Sequence, residues 1–372
     1  METYIYEALF LLFQVCFISQ LYYLVSNHSK LAYYKPLRDL RKVNIPISVI
    51  IAARNEEANL KANLPLILAQ DYPDFEVVVV NDCSSDGSDL YLLGLQANHP
   101  QLKIVTVTEH PRFKTGKKFA LTMGIKAASH EHLLFTDADC APATHNWIAR
   151  MAVNFTTKAQ IVLGYSPFYK TGGLLNTFSR FETIKTAVSY LSAALKGDPY
   201  MGIGRNMAYT KTLFFSNKGF ASHMHVMAGD DDLFVNQNAT ADNTIIEIHP
   251  DAFMFTAAKT TLRGWFRQKT RHMGVGKLYK AKHRRMLSWD AVSGFLFYIL
   301  LALCVIMGIE PLLAFGLYLF RLLMQILIYS KIFKTLTAKD MLFYLPVLEP
   351  IYYIYLNVFG LIGTFIKTAQ WK

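Results

Sequence analysis

The sequence predicts an α/β domain built on a parallel sheet and flanked by membrane-crossing helices. Three observations carry this reading. Long apolar runs lie at the two ends of the 372-residue chain. Between them, short β-branched runs alternate with segments of helical periodicity. Acidic, polar loops follow several of those runs. Alternating strands and helices imply βαβ units, and ligands bind beyond the carboxyl ends of such strands.

The apolar runs come first. Ala8 to Val25 and Ala291 to Ile309 carry no charge, Leu312 to Ser330 is broken only by Arg321, and Met341 to Ile366 is broken by Glu349 and Pro350. A helix needs about 20 apolar residues to cross a bilayer. The opening Met-Glu-Thr has no basic n-region, so the first run reads as a span and not as a cleaved leader. Lys30, Lys35, Arg38, Arg41 and Lys42 follow it, and Lys331, Lys334 and Lys339 follow the third run. The positive-inside rule puts both segments in the cytoplasm. Four full spans would leave the C-terminus outside, against Lys367 and Lys372, so the fourth segment is expected to be partly re-entrant.

Composition narrows the class further. The chain is 52% hydrophobic and only 17% charged, more apolar than ordinary soluble domains. The net charge of +11 admits nucleic acid as a partner, but no recognition motif accompanies it. The basic residues from Arg263 to Arg285 lie beside the second span, where lipid headgroups and anionic substrates account for them. Cys16, Cys83, Cys140 and Cys304 form no C-x-x-C, so neither a disulfide framework nor a zinc site is expected.

Within the central region, Ile47 to Ala53 is a buried strand by its apolar, β-branched run. Asn55 to Gln70 is helical, and Phe75 to Val80 is a second strand. Asn81 to Ser88 is a polar turn leading to a short helix. Lys103 to Val107 is a strand, Gly116 to Ser129 a helix, and His132 to Thr136 a fourth strand.

Candidate chemistry sits after these strands. Asp82 enters a Ser-Asp-Gly loop, which also suits a plain turn. Asp137-Ala-Asp139 ends the fourth strand, where two carboxylates can reach one divalent ion that bridges a diphosphate. Asp230-Asp-Asp232 suits either an acidic helix start or a general base, since a sugar hydroxyl needs help to lose its proton. Gln268-Lys-Thr-Arg271-His272 follows Trp265. It reads as an amphipathic interfacial helix from which Arg271 can also steady a leaving diphosphate. Lys114-Thr-Gly-Lys117-Lys118 leads into a helix and suits an anion, or is a solvated loop. It lacks the Walker A spacing.

Taken together, these motifs resemble the family 2 glycosyltransferases of the GT-A fold, a Rossmann-like domain for nucleotide-diphospho-sugars. The resemblance runs over roughly residues 46 to 276, with the spans of membrane-integrated members beside it. It implies a domain from 45 to 260, a first span in 1–28, a basic interfacial segment at 261–289 and further spans in 290–372. The family's opening strand falls on Ser48 to Glu57. Its nucleotide-binding aspartate falls on Asp82 and its Lys-x-x-Ala-Leu on Lys117 to Leu121. Its D-x-D falls on Asp137 and Asp139, with Asp139 the direct metal ligand. Gly229-Asp230-Asp231 matches the acidic pattern that carries the base, which falls on Asp231. Asp230 and Asp232 leave this open by one position. Gln268-x-x-Arg271-His272 matches Q-x-x-R-W with histidine for tryptophan, and Gly204 to Tyr209 resembles the acceptor-pocket segment.

The resemblance implies an inverting transfer from a UDP-sugar, dependent on magnesium or manganese, at the cytoplasmic membrane face. Ala53, Glu56 and Asp82 would hold the nucleoside. A lipid acceptor is favoured over a growing glycan, because four short spans offer little for a closed channel. The alternatives are a non-catalytic membrane scaffold with a relic sugar-nucleotide domain, and a nucleotidyltransferase. Arg321 and Glu349 read as a structural pair between spans or as part of a substrate path.

Overall fold

The computed structural model describes residues 2–37, 40, 43–108, 116–226 and 228–365. Arg38, Arg41, Lys42, Lys114, Lys367 and Lys372 lie outside the described residues.

The central sheet has strands β1 (Ile47–Ala53), β2 (Phe75–Asp82), β3 (Leu102–Val107) and β4 (His132–Asp137). The short strands β5 (Cys140–Pro142), β6 (Ile161–Leu163), β7 (Met207–Thr210), β8 (Thr244–Ile246) and β9 (Met254–Thr256) follow. Seven strands pair in the order β3-β2-β1-β4-β7-β6-β8, and β5 pairs with β9 separately. β1 to β4 are mutually parallel, and β7 is antiparallel to both β4 and β6.

Every residue of β1 is buried. That explains why its sequence is apolar but for Ser48, because parallel strands are covered on both faces. Ile50, Ala52, Val78 and Val80 belong to one core cluster, and Val49, Ile51, Ala53, Val77 and Val79 to another. The helices complete the layers. In chain order they are α1 (Glu2–Tyr22), α2 (Ser29–Tyr33), α3 (Glu57–Leu68), α4 (Ser88–Gln96), α5 (Lys117–Ala127), α6 (Trp147–Ala152), α7 (Leu174–Leu195), α8 (Lys211–Ser216), α9 (Asp232–Asn238), α10 (Leu262–Met273), α11 (Ala281–Ile306), α12 (Pro311–Thr335) and α13 (Met341–Phe365).

α5 lies close against the sheet because Gly124 has no side chain. A Cβ there would sit 2.8 Å from Ile50 Cγ2 and 2.9 Å from Val80 Cγ2. Gly124→Leu is therefore expected to cost about 1–3 kcal/mol by overpacking. A thermal midpoint in detergent equal to that of the parent would show that the contact is not tight.

Four helical segments are long and apolar enough to cross a membrane: Thr3–Tyr33, Ala281–Ile306, Pro311–Thr335 and Met341–Gly363. The first runs from α1 through a π-helical turn, Tyr23–His28, into α2. Two expectations meet the structure here. The fourth segment, expected to be partly re-entrant, forms one continuous helix, α13, through Pro346 and Pro350. Proline is tolerated in such helices where neighbouring groups satisfy the freed carbonyls. The basic segment expected at 261–289 also divides, with Lys282, Arg284 and Arg285 in the opening turns of α11. Long basic side chains can keep their heads in water while their stems extend an apolar helix.

The charged residues that interrupt the third and fourth apolar runs meet. Arg321 Nη1 lies 3.0 Å from Glu349 Oε2, and Lys185 Nζ of α7 lies 3.1 Å from Glu349 Oε1. Tyr298 donates to Glu349 Oε2 at 2.7 Å, and Gln325 donates to Glu349 Oε1. Arg321 Nη2 and Tyr353 both donate to Gln20 Oε1, at 3.1 and 2.7 Å. Arg321 and Glu349 are thus a direct structural pair. The sequence did not show that Lys185, from the water-facing domain, shares the carboxylate. The cluster joins all four spans to α7.

Candidate active site

A cavity of about 290 Å³ opens at the carboxyl ends of β1 and β4. Its walls include Glu56, Lys117, Asp137, Asp139, Asp230, Asp231, Asp232, Gln268, Arg271 and His272, residues widely separated in the chain.

Asp137 is the last residue of β4, and the strand delivers it to the cavity opposite Ala52 of β1. Asp139 lies in the turn that follows and also faces the cavity. Lys117 is the first residue of α5 and bridges two distant acids. Its Nζ is 2.9 Å from Asp137 Oδ1 and 3.0 Å from Asp230 Oδ2. Burial opposes the charge of Lys117, but Asp137 and Asp230 hold its pKa well above the usual lysine value. Burial also opposes ionisation of Asp137, yet Lys117 outweighs it and holds the carboxyl below its ordinary range. Asp139 shifts up, through burial and the neighbouring Asp137 charge.

Lys118 points away. It is buried and donates to the carbonyls of His223 and Val226 at 2.7 and 3.0 Å. Lys117 is therefore the lysine of this motif that serves the cavity.

The acidic triplet divides into three environments. Asp230 pairs with Lys117. Asp231 caps α9: its Oδ1 accepts the Asp232 N–H at 2.8 Å and its Oδ2 the Gly204 N–H at 2.7 Å. Burial and the adjacent Asp230 push the Asp231 pKa up. Asp232 accepts the Tyr279 hydroxyl at 2.8 Å. Burial, and then Asp231, push it up to about 8.

Gln268, Arg271 and His272 occupy one face of α10, because residues three and four apart are neighbours on a helix. Thr261 caps this helix by accepting the Gly264 N–H. Lys269 pairs with Glu182 of α7, which fixes α10 beside the cavity. His272 is exposed and lines the cavity at the position where the resembled Q-x-x-R-W motif carries tryptophan.

Two expected residues do not line the cavity. Ala53 is buried in the opposite core cluster, and Ala52 takes its place. Adjacent strand residues face opposite sides, so the choice turned on one position. Asp82 is the last residue of β2 and is fully buried. Arg54 Nη1 lies 3.7 Å from Asp82 Oδ2, and it is Arg54 that reaches the cavity wall.

Other lining residues were missed. Arg205 faces the cavity with its guanidinium 5.0 Å from the Phe168 ring centre. Its place in the Gly204 to Tyr209 segment was a usable signal. Asn206 next to it is fully buried and accepts the Trp147 Nε1–H at 3.0 Å, which pins the segment against α6. Lys259 and Glu182 also line the wall, and no motif marked them.

Among the described residues, no group of three or more His, Cys, Asp or Glu side chains is arranged to hold a metal ion. Asp139 and Asp137 nonetheless fit a divalent cation that takes its other ligands from a diphosphate and water, since hard cations prefer carboxylate oxygen. Lys117 occupies Asp137 Oδ1, which leaves Asp139 as the better placed donor.

Residues 48–223 match the family model described as Glycosyl transferase family 2. This is a family 2 glycosyltransferase domain. A 93-residue segment is 34% identical to the poly-beta-1,6-N-acetyl-D-glucosamine synthase of Staphylococcus epidermidis, over 25% of this chain and 21% of that protein. Against the synthase of the same name from Staphylococcus aureus, identity is 29% over 141 residues, 35% of this chain and 32% of that one. The match therefore spans between a fifth and a third of these relatives. A mannosyltransferase from Pyrobaculum calidifontis, solved with GDP-Man and Mn2+, superposes with a TM-score of 0.60 at 20% identity. It covers 95% of this chain and 99% of its own. The glycosyltransferase domain has the GT-A fold, and four apolar helical segments accompany it.

Proposed function

We propose that this chain transfers a sugar from a UDP-sugar to an acceptor hydroxyl at the cytoplasmic membrane face, inverting the anomeric carbon. The observation that carries this is the convergence of Asp139, Lys117, Asp231 and Arg271 on one cavity. The names of the staphylococcal relatives make UDP-N-acetylglucosamine the first donor to try.

Magnesium or manganese held by Asp139, with Asp137 beside it, would supply Lewis-acid neutralisation of the diphosphate. The residues of the chain do the rest. Arg54 and Glu56 at the end of β1 bound the nucleoside side of the cavity. The acceptor hydroxyl attacks the anomeric carbon from the face opposite the diphosphate. Its C–O bond forms as the bond from carbon to phosphate oxygen breaks. Asp231 takes the hydroxyl proton. Its raised proton affinity suits a base, and its two N–H partners fix its orientation. Lys117 and Arg271 meet the charge left on the nucleoside diphosphate.

A second assignment puts the base at Asp230. Both Asp231 oxygens already accept main-chain N–H groups, whereas Asp230 has one oxygen, Oδ2, on the side-chain ammonium of Lys117.

The test is product analysis with the purified full chain and membrane lipid extract. UDP-N-acetylglucosamine, UDP-glucose and GDP-mannose would each be supplied with manganese. Transfer from a UDP donor is expected, with a β-linked product from the α-linked donor. Retained anomeric configuration would sink the single-displacement mechanism. Transfer from GDP-mannose alone would sink the donor assignment.

A further inference from the structure

A second cavity, of about 710 Å³, lies where the domain meets the turn between α12 and α13. It takes no part in the chemistry described so far. Its lining includes the apolar side chains of Tyr165, Phe168, Ile184 and Phe255, and four cations, Lys170, Arg180, Lys334 and Lys339, against one carboxylate, Asp340.

That carboxylate is already spoken for. Arg180 donates to both of its oxygens, at 2.8 and 3.0 Å, and Lys170 Nζ lies 3.0 Å away. The Arg180 hydrogen bonds come first among the causes that hold the Asp340 pKa down, at about 2. Asp340 is thus ionised and neutralised by two partners. Lys334 and Lys339 are exposed and make no ion pair among the described residues. The turn that carries them is well defined: Thr337 has φ +55°, and the Ala338 N–H donates to Phe333 O at 2.7 Å.

Position adds the second argument. Lys334 lies in the last turn of α12, and Lys339 and Asp340 immediately precede α13. The cavity is therefore at the membrane end of the domain. Phe168 lines this cavity and the donor cavity alike. An anion with an apolar tail, arriving along the bilayer, would meet surplus cations and aromatic side chains in the same cavity.

We propose that this cavity seats the phosphate head group of the lipid acceptor, an inference that rests on the transferase reading above. Two strongly hydrated ammonium groups bind the phosphate as point charges. The aromatic wall takes the first apolar or sugar portion of the lipid. A hydroxyl-bearing group joined to that phosphate passes Phe168, which lines both cavities, toward Asp231.

The test uses the full chain in a zwitterionic detergent and three probes: farnesyl phosphate, farnesol and inorganic phosphate. Each is titrated against the parent and the double variant Lys334→Glu, Lys339→Glu. Farnesyl phosphate is expected to bind the parent, and to bind the variant about tenfold more weakly or worse, given the usual worth of surface cations toward lipid anions. Farnesol and inorganic phosphate are expected to bind far more weakly than farnesyl phosphate. UDP with manganese, read on the same samples, is expected to bind parent and variant equally. Equal farnesyl phosphate affinity in parent and variant would overturn the proposal. So would inorganic phosphate binding as tightly as the lipid, which would mark a free-phosphate site. Farnesyl phosphate binding in a chain that cannot bind UDP would leave a lipid-phosphate site but overturn its role as the acceptor's seat.

Discussion

Asp231→Asn is expected to lower sugar transfer by about 10²–10⁴-fold, the usual contribution of a positioned base. UDP binding should persist, because the amide keeps an oxygen for the Gly204 N–H that Asp231 Oδ2 now accepts at 2.7 Å. The amide cannot take a proton from the acceptor. Asp230→Asn tests the neighbouring assignment. It removes a partner from Lys117 without touching the cap of α9. If Asp231 is the base, Asp230→Asn keeps substantial turnover and Asp231→Asn does not. The reverse ranking would move the base by one residue and leave the rest of the mechanism standing. Initial rates of nucleoside-diphosphate release at saturating donor decide between the two.

Glu349→Ala is expected to destabilise the whole chain, by about 3–5 kcal/mol, the usual cost of leaving a buried charge unpaired. Glu349 is 1% exposed and neutralises Arg321 and Lys185 at once, at 3.0 and 3.1 Å. Its loss leaves two buried cations facing each other. Since Lys185 belongs to α7 and Arg321 to α12, the damage should appear as loosened docking of the domain on its spans. The melting midpoint in detergent reads the loss, and limited proteolysis between domain and spans reads its location. An unchanged midpoint would show that the cluster contributes nothing to cohesion. Replacing Lys185, Arg321 and Glu349 together by apolar residues should cost much less than Glu349→Ala, because no charge is then stranded.

The sequence was most informative where burial was most uniform. β1, β2 and β4 stood out as largely apolar runs because both faces of a parallel strand are covered. The same uniformity hid which face each residue takes, so Ala53 was assigned to a wall that Ala52 forms. β6, β8 and β9 are three residues each, too short for any periodicity to mark. Asp137, Asp139, the acidic triplet and Arg271 were legible because charge beside apolar strands and spans is conspicuous. Lys259 was not, since a single cation in a polar segment looks like ordinary surface, and Arg205 was marked only as part of the Gly204 to Tyr209 segment. Lys185 was the hardest to see. Its partner lies 164 positions away in a membrane helix, and only the packing of α7 on the spans brings them together.

The measurement closest to the central claim is nucleoside-diphosphate release by the purified full chain. UDP-N-acetylglucosamine and lipid extract would be supplied, with manganese or with EDTA, for the parent and for Asp139→Ala. Release in manganese, its loss in EDTA and its loss in Asp139→Ala are the predicted results. Release that ignores both the chelator and the substitution would contradict the roles given to Asp139 and the cavity. If no donor is turned over or bound in any of these conditions, the domain is a membrane scaffold and not a catalyst.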